Sequence, residues 1–330
     1  MAPMVGLSHA AFRDLVRHYT PNSQKTFWPT EMLNSRKVPH QDIKTSSFTK
    51  FSTEDVNLHP QILGNEKEPI QQSIKILEQH GAVGIDINMG CAVSKALKHN
   101  YGVALMGDTD YAAQVVEHAA SASSLPVSVK LRAGGQGDTE FLLKFVKAIK
   151  NSGASWVTLH PRKTEQKRRG NSDWEQIKQL KANVEIGVVG NGDVQTVDDI
   201  FAMFTATNCD AVMVGRALTA RPWLFWQYQN KLKNNEQVID QCPISATEEG
   251  REYLKSLSYF VDYLERYFEE GEGVRKFQFH VRVGHVWLDY GHFVMAQLSN
   301  EKTFEGLRTR LKLLSETIEL KMLDRTDLRY

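Results

Sequence analysis

Apolar and polar residues alternate in short runs along the first 230 positions. Val83, Ile85 and Ile87 alternate with Gly84, Asp86 and Asn88, the period-two pattern of a buried strand. The same reading predicts eight strands: Ala2–Met4, Phe27–Leu33, Asn57–Leu63, Val83–Asn88, Pro126–Leu131, Trp156–Leu159, Glu185–Val189 and Ala211–Val214. Spacing of three and four predicts helices between them, over Ser8–Tyr19, Pro69–His80, Tyr111–Ala122, Asp138–Ser152, Trp174–Leu180, Thr196–Ala206 and Pro222–Tyr228. Ser8 stands where a helix cap is wanted, Pro69 in a first turn, and Gly81 and Gly153 just past helix ends. Strand and helix in strict alternation imply parallel strands. Eight such units match a closed (β/α)8 TIM barrel better than a doubly wound open sheet.

The pattern changes after Lys233-Asn234-Asn235-Glu236, a polar stretch that reads as a linker. Beyond it only helical spacing remains. Leu254, Leu257, Phe260, Val261, Leu264 and Phe268 make one apolar face, and Val274–Tyr290 and Glu301–Met322 continue as helices. The expected organisation is a barrel over residues 1–235 and a small all-α bundle over 236–330.

Composition narrows the classes. The 330 residues carry 40 basic and 39 acidic side chains, so any polyanion site must come from local clustering. The tail from Arg251 onward balances thirteen basic against thirteen acidic residues. The three cysteines, Cys91, Cys209 and Cys242, have no CxxC spacing, which argues against a disulfide framework or a metal site and for a reducing compartment. No apolar run approaches the roughly 18 residues of a membrane span, and no signal peptide is visible. A cytoplasmic protein is expected.

Polar residues with chemical potential fall at the predicted strand ends: Gln61, Asn88, Cys91, Lys130, His160, Asn191 and Arg216. In a barrel these ends converge on one mouth. Gly190-Asn191-Gly192-Asp193 and, one unit later, Gly215-Arg216 suit a phosphate, because glycines admit close backbone approach and Arg216 offers a fork-shaped cation. A flavin mononucleotide phosphate and a sugar phosphate both fit. Lys130, within Val127-Ser128-Val129-Lys130-Leu131, either snorkels to the rim or meets an anion such as a reduced flavin ring. Cys91 follows Gly90 outside the strand, and a thiol, titrating near about 8.5, can give up a proton at neutral pH. The segment His160–Gly170 holds five basic side chains and one acid, suited to a phosphate backbone or to solvent.

These residues resemble the tRNA-dihydrouridine synthases across nearly the whole chain. The resemblance rests on Ala2-Pro3-Met4-Val5-Gly6, Thr30-Glu31-Met32, Gln61-Ile62-Leu63-Gly64-Asn65-Glu66, Asp86-Ile87-Asn88-Met89-Gly90-Cys91, Gly102 with Ala104-Leu105-Met106, Val129-Lys130-Leu131-Arg132, His160 with Arg162, Gly190-Asn191-Gly192-Asp193 and Val214-Gly215-Arg216. The chain departs from the family pattern at Ala92, Val103 and Pro161, where the family has proline, a small residue and glycine. The resemblance implies a reductase of tRNA with FMN as cofactor and NADPH as reductant; a monomer without a metal is expected, since no second ligand lies near Cys91 in sequence. It implies that Cys91 protonates the base. Pro3, Met4, Gln61, Lys130, His160, Asn191, Gly192, Asp193, Gly215 and Arg216 would hold the flavin. Asn88, Arg132, Arg162 and Lys163 would hold the substrate.

Overall fold

The computed structural model describes residues 1–20, 26–46, 50, 56–133, 138–163, 166, 170–233 and 242–327. Seven parallel strands form one sheet in strict chain order: β1 (Met32–Asn34), β2 (Gln61–Leu63), β3 (Ile85–Met89), β4 (Val127–Arg132), β5 (Trp156–His160), β6 (Gly187–Asn191) and β7 (Ala211–Met213). An order without reversal is that of a barrel wall and not of a doubly wound sheet. The expected first strand, Ala2–Met4, is not one. Ala2 donates its N–H to Val214 O beyond β7. Proline at position 3 has no N–H to continue a ladder. Ser8 then takes over the local backbone: its Oγ accepts from Met4 N at 2.8 Å and donates to Ala2 O at 3.0 Å. Ser8 therefore braces this loop, and helix α1 (Ala10–His18) begins two residues later than expected.

The early strands are also shorter than the alternation suggested. Trp28 meets Leu58 as an isolated bridge, and Glu31 precedes β1. Gln61 opens β2 where it was expected to close a strand. Strand parity then sorts the side chains. Val127, Val129 and Leu131 of β4 are buried against the helices, so Ser128, Lys130 and Arg132 share the opposite, inner face. Register stacks that face in layers. Gln61 pairs with Asp86 and Asp86 with Ser128. Asn88, Lys130 and Thr158 lie one step higher, and Arg132, His160, Asn191 and Met213 higher again. Trp156, stacked with His59 and Phe27, closes the lower end.

Helices α2 (Lys67–Gln79), α4 (Thr109–Ala120), α5 (Thr139–Asn151), α6 (Trp174–Asn183), α7 (Val197–Thr207) and α8 (Leu224–Leu232) pack outside the sheet. In α5 the buried set Leu142, Phe145, Val146 and Ile149 follows the helical repeat, and Asp138 caps the start. In α7, Thr196 and Asp199 form a capping box, and Asn208 ends the helix in the left-handed region. Helices α9 (Ala246–Tyr267), α10 (Glu270–Gly284), α11 (Gly291–Ser299) and α12 (Phe304–Thr317) complete the chain. The expected junction at 235/236 lies outside the described residues.

The helical segment and the sheet share one continuous apolar core, running from Met1 to Met322. A buried polar knot fixes the join. Glu249 of α9 accepts from Arg221 Nε at 3.1 Å, Trp223 Nε1 at 3.0 Å and Gln227 Nε2 at 2.9 Å. Removing one partner of a buried ion pair strands the other charge. Glu249→Ala is expected to lower the unfolding free energy by about 3–5 kcal/mol, measured as the shift in a urea midpoint.

Candidate active site

The inner face opens into one cavity of about 510 Å³ above the upper layer, within the range of small-molecule and cofactor sites. Every residue expected to act lines it except Lys163. Lys163 is exposed on the following loop, with its N–H bonded to Gln166 Oε1. Residues 164–165 and 167–169 of that basic segment lie outside the described residues. Among the lining residues that were not anticipated, Phe279, Arg282 and Val283 come from α10. Helical periodicity flagged this helix, but nothing in the sequence says that it folds back over the barrel mouth. Two contacts bring it there. Gly284 packs on the backbone of Thr219, where a Cβ would lie 2.8 Å from the carbonyl oxygen. Phe279 lies over Gly6, 2.9 Å from where a Cβ would be.

The glycine-rich turn after β6 is fixed by its neighbours. Gly192 has φ +120, and a side chain there would meet Ser172 Oγ at 2.3 Å and the His160 ring at 2.9 Å. Asn191 donates from Nδ2 to Met213 O at 2.8 Å, tying this turn to β7. Asp193, also at positive φ, accepts from Arg162 Nη2 and Ser172 N, each at 2.5 Å. Trp174 donates from Nε1 to Gly192 O. Arg162 is 1% exposed and donates again to Gly170 O, while its Nε has no hydrogen-bond partner among the described residues. Arg162 and Asp193, expected to serve different ligands, thus form one buried clamp on the loop.

The Cys91 loop is anchored at both ends. Asn88 Oδ1 accepts the N–H groups of Gly90 at 3.1 Å and Cys91 at 2.9 Å. Cys91 O accepts from Val103 N at 3.0 Å. Gly102, eleven residues on, adopts φ +60, and a Cβ there would lie 2.4 Å from Cys91 O. The spacing between cysteine and glycine is therefore a packing requirement. The segment after Cys91 holds the short helix α3 (Ser94–Lys98). Its Ala96 joins Leu63 and Tyr101 in a small separate core against which Cys91 packs.

Residues 1–305 match the dihydrouridine synthase (Dus) family. The chain belongs to that family. A probable tRNA-dihydrouridine synthase of Rickettsia bellii is 33% identical over 238 residues, covering 72% of each chain. One from Aquifex aeolicus is 30% identical over 270 residues, 81% of each. The tRNA-dihydrouridine synthase B of Proteus vulgaris is 30% identical over 280 residues, 85% of this chain and 83% of its own.

In this dihydrouridine synthase the cavity carries a local cation surplus that the near-neutral whole conceals. Its lining has Lys130, Arg132, Arg162, Arg216 and Arg282 against the single acid Asp193. His160 is pushed well below its ordinary value, first by burial and then by Lys130, Arg132, Arg162 and Arg216. It is neutral at pH 7. Burial also pushes Lys130 down to about 8, against the pull of Asp86, while Arg132 adds to the fall. Lys130 lies below its ordinary 10.5, so the fold bears the cost of its charge fully below pH 8. That cost fades as the pH rises towards 10.5. Between pH 8 and 10.5 the parent is therefore expected to gain on the order of 1–3 kcal/mol relative to Lys130→Met, read from denaturation curves of the two ligand-free proteins across that range.

Proposed function

We propose that this chain is an FMN-dependent reductase of uridine in tRNA, with NADPH as the source of electrons. The observation that carries the reading is the convergence of Cys91, two amides and a surplus of cations on one cavity of cofactor size. The lining suits a phosphorylated flavin. Five basic side chains line it against one acid, burial disfavours the charge of Lys130 despite Asp86, and Gly192 and Gly215 line it with backbone. Bound there, FMN would supply the hydride chemistry, taking electrons from NADPH and reducing C6 of the uracil.

The chain's own residues do the rest. Arg216 and the backbone around Gly192 and Gly215 would bind the phosphate, with Asn191 and His160 alongside. Lys130 and Gln61 would hold the polar edge of the ring, and Pro3 and Met4 its apolar flank. Asn88, Arg132 and Arg162 would orient the uracil. Cys91 would deliver the proton to C5, so that one hydride and one proton saturate the C5–C6 bond. A base inside a helix cannot reach this depth, so the target nucleotide must be turned out of its stack. Lys163, exposed on the loop after β5, would meet the RNA backbone. The helices from residue 246 on would grip the body of the tRNA as a second domain.

The purified protein should be yellow and should bleach with NADPH under anaerobic conditions. Colourless protein that still binds tRNA would overturn the reading. Cys91→Ala should keep the flavin absorbance while tRNA reduction falls by about 100-fold or more, measured by dihydrouridine content. Arg216→Ala should weaken flavin retention by about ten-fold, measured by equilibrium dialysis.

A further inference from the structure

Asp86 lies beneath the cavity and takes no part in the chemistry outlined above, yet its hydrogen bonds lead to Cys91. It is 5% exposed. Its Oδ2 accepts from Gln61 Nε2 at 2.6 Å, and its Oδ1 accepts from Ser128 Oγ at 2.5 Å. Gln61 Oε1 accepts from Asn88 Nδ2 at 2.7 Å. Asn88 Oδ1 accepts the N–H groups of Gly90 and Cys91. The chain runs Asp86, Gln61, Asn88, Cys91, across β2 and β3 into the loop.

Amide side chains can be turned over without changing shape, so their direction needs a fixed reference. Here both ends supply one. A carboxylate only accepts, so Gln61 must turn its NH2 towards Asp86 and its oxygen towards Asn88. Backbone N–H groups only donate, so Asn88 must turn its oxygen towards Gly90 and Cys91 and its NH2 towards Gln61. The two demands agree, and no link is mismatched. Behind Asp86 the set continues: Ser128 gives its O–H to the carboxylate, and His59 Nε2 lies 3.0 Å from Ser128 Oγ.

We propose that Asp86 is a positioning residue that sets the polarity of the Gln61–Asn88 pair, and so holds the Cys91 loop and makes both amides offer N–H groups to the cavity. Each amide uses one N–H inside the chain and keeps one. Both residues line the cavity. The floor beside Lys130 therefore offers donors without competing acceptors. Such a floor selects a ligand that presents carbonyl oxygens or unprotonated ring nitrogens, as flavin and uracil do. The inference rests on the proposed reaction for the identity of that ligand. The hold on Cys91 does not.

The test therefore reads the loop without flavin or tRNA. Iodoacetamide alkylation is followed at the Cys91 peptide by mass spectrometry in the flavin-free full-length chain. Asp86→Ala and Gln61→Met should each speed alkylation by about five-fold, the effect of freeing one hydrogen-bonded loop. The double variant should be no faster than either single one, because both break the same chain. Ser128→Ala should stay within about two-fold of the parent, since it leaves the Asp86–Gln61 link intact. Multiplying effects, a parental rate in Gln61→Met, or an equal rise in Ser128→Ala would each overturn the proposal. If Asp86→Ala does not fold, the Gln61→Met and Ser128→Ala comparison decides alone.

Discussion

Asp86 and Lys130 share the inner face of a sheet whose other face is apolar, and each is held by the other's charge. Burial raises the Asp86 carboxyl and lowers the Lys130 amine, while their mutual attraction opposes both shifts. Buried charges persist where partners compensate them. Around this pair the inner face has two kinds of satisfaction. Below, Gln61 and Ser128 donate to Asp86, and Asn88 donates to Gln61. Above, Asp193 accepts from Arg162, and the lining cations still outnumber that single acid.

That arrangement explains why the surrounding turns are so tightly specified. Gly102 and Gly192 occupy positive-φ positions where a Cβ would strike Cys91 and Ser172. Asp193 adopts a left-handed conformation rare for a residue with a side chain, and uses that side chain to clamp Arg162. Strain of this kind is tolerated where neighbouring contacts over-determine it. Here those contacts are the hydrogen bonds from Ser172, Arg162 and Trp174. Pro161, where the family has glycine, fits the same loop: it is buried, and its carbonyl accepts from Asp173 N. The family's proline after the cysteine is Ala92 here, and the loop is held by Asn88 and Gly102 instead.

The helical segment is part of the site as well as its neighbour. Gly284 brings α10 onto the turn at Arg216–Thr219, the same turn that carries Arg216 to the cavity. Phe279, 38% exposed, covers Gly6 at the mouth. Glu249 locks Arg221, Trp223 and Gln227 two turns of chain later. The Arg216–Thr219 turn, the N-terminal loop and the helical segment therefore form one packed unit.

The sequence by itself determined the class of most elements and which chemistry-bearing residues line the cavity. Period-two runs gave the β3–β7 strands, since burial on the outer face demands Val, Ile and Leu at alternate positions. It also determined which residues meet, because barrel topology brings strand ends together. Ala2–Met4 misled, because apolarity without a ladder partner is not a strand: Pro3 and Ser8 redirect those backbone groups. Gln61 was read as a strand end because its polarity stood out, whereas register places it at the start of β2, level with Asp86. Only the tertiary structure decided the direction of the Asp86–Gln61–Asn88 chain, the pairing of Arg162 with Asp193, and the approach of Phe279 and Arg282. These depend on which side chains come within hydrogen-bonding or van der Waals reach across segments distant in sequence, and no local pattern encodes such a meeting.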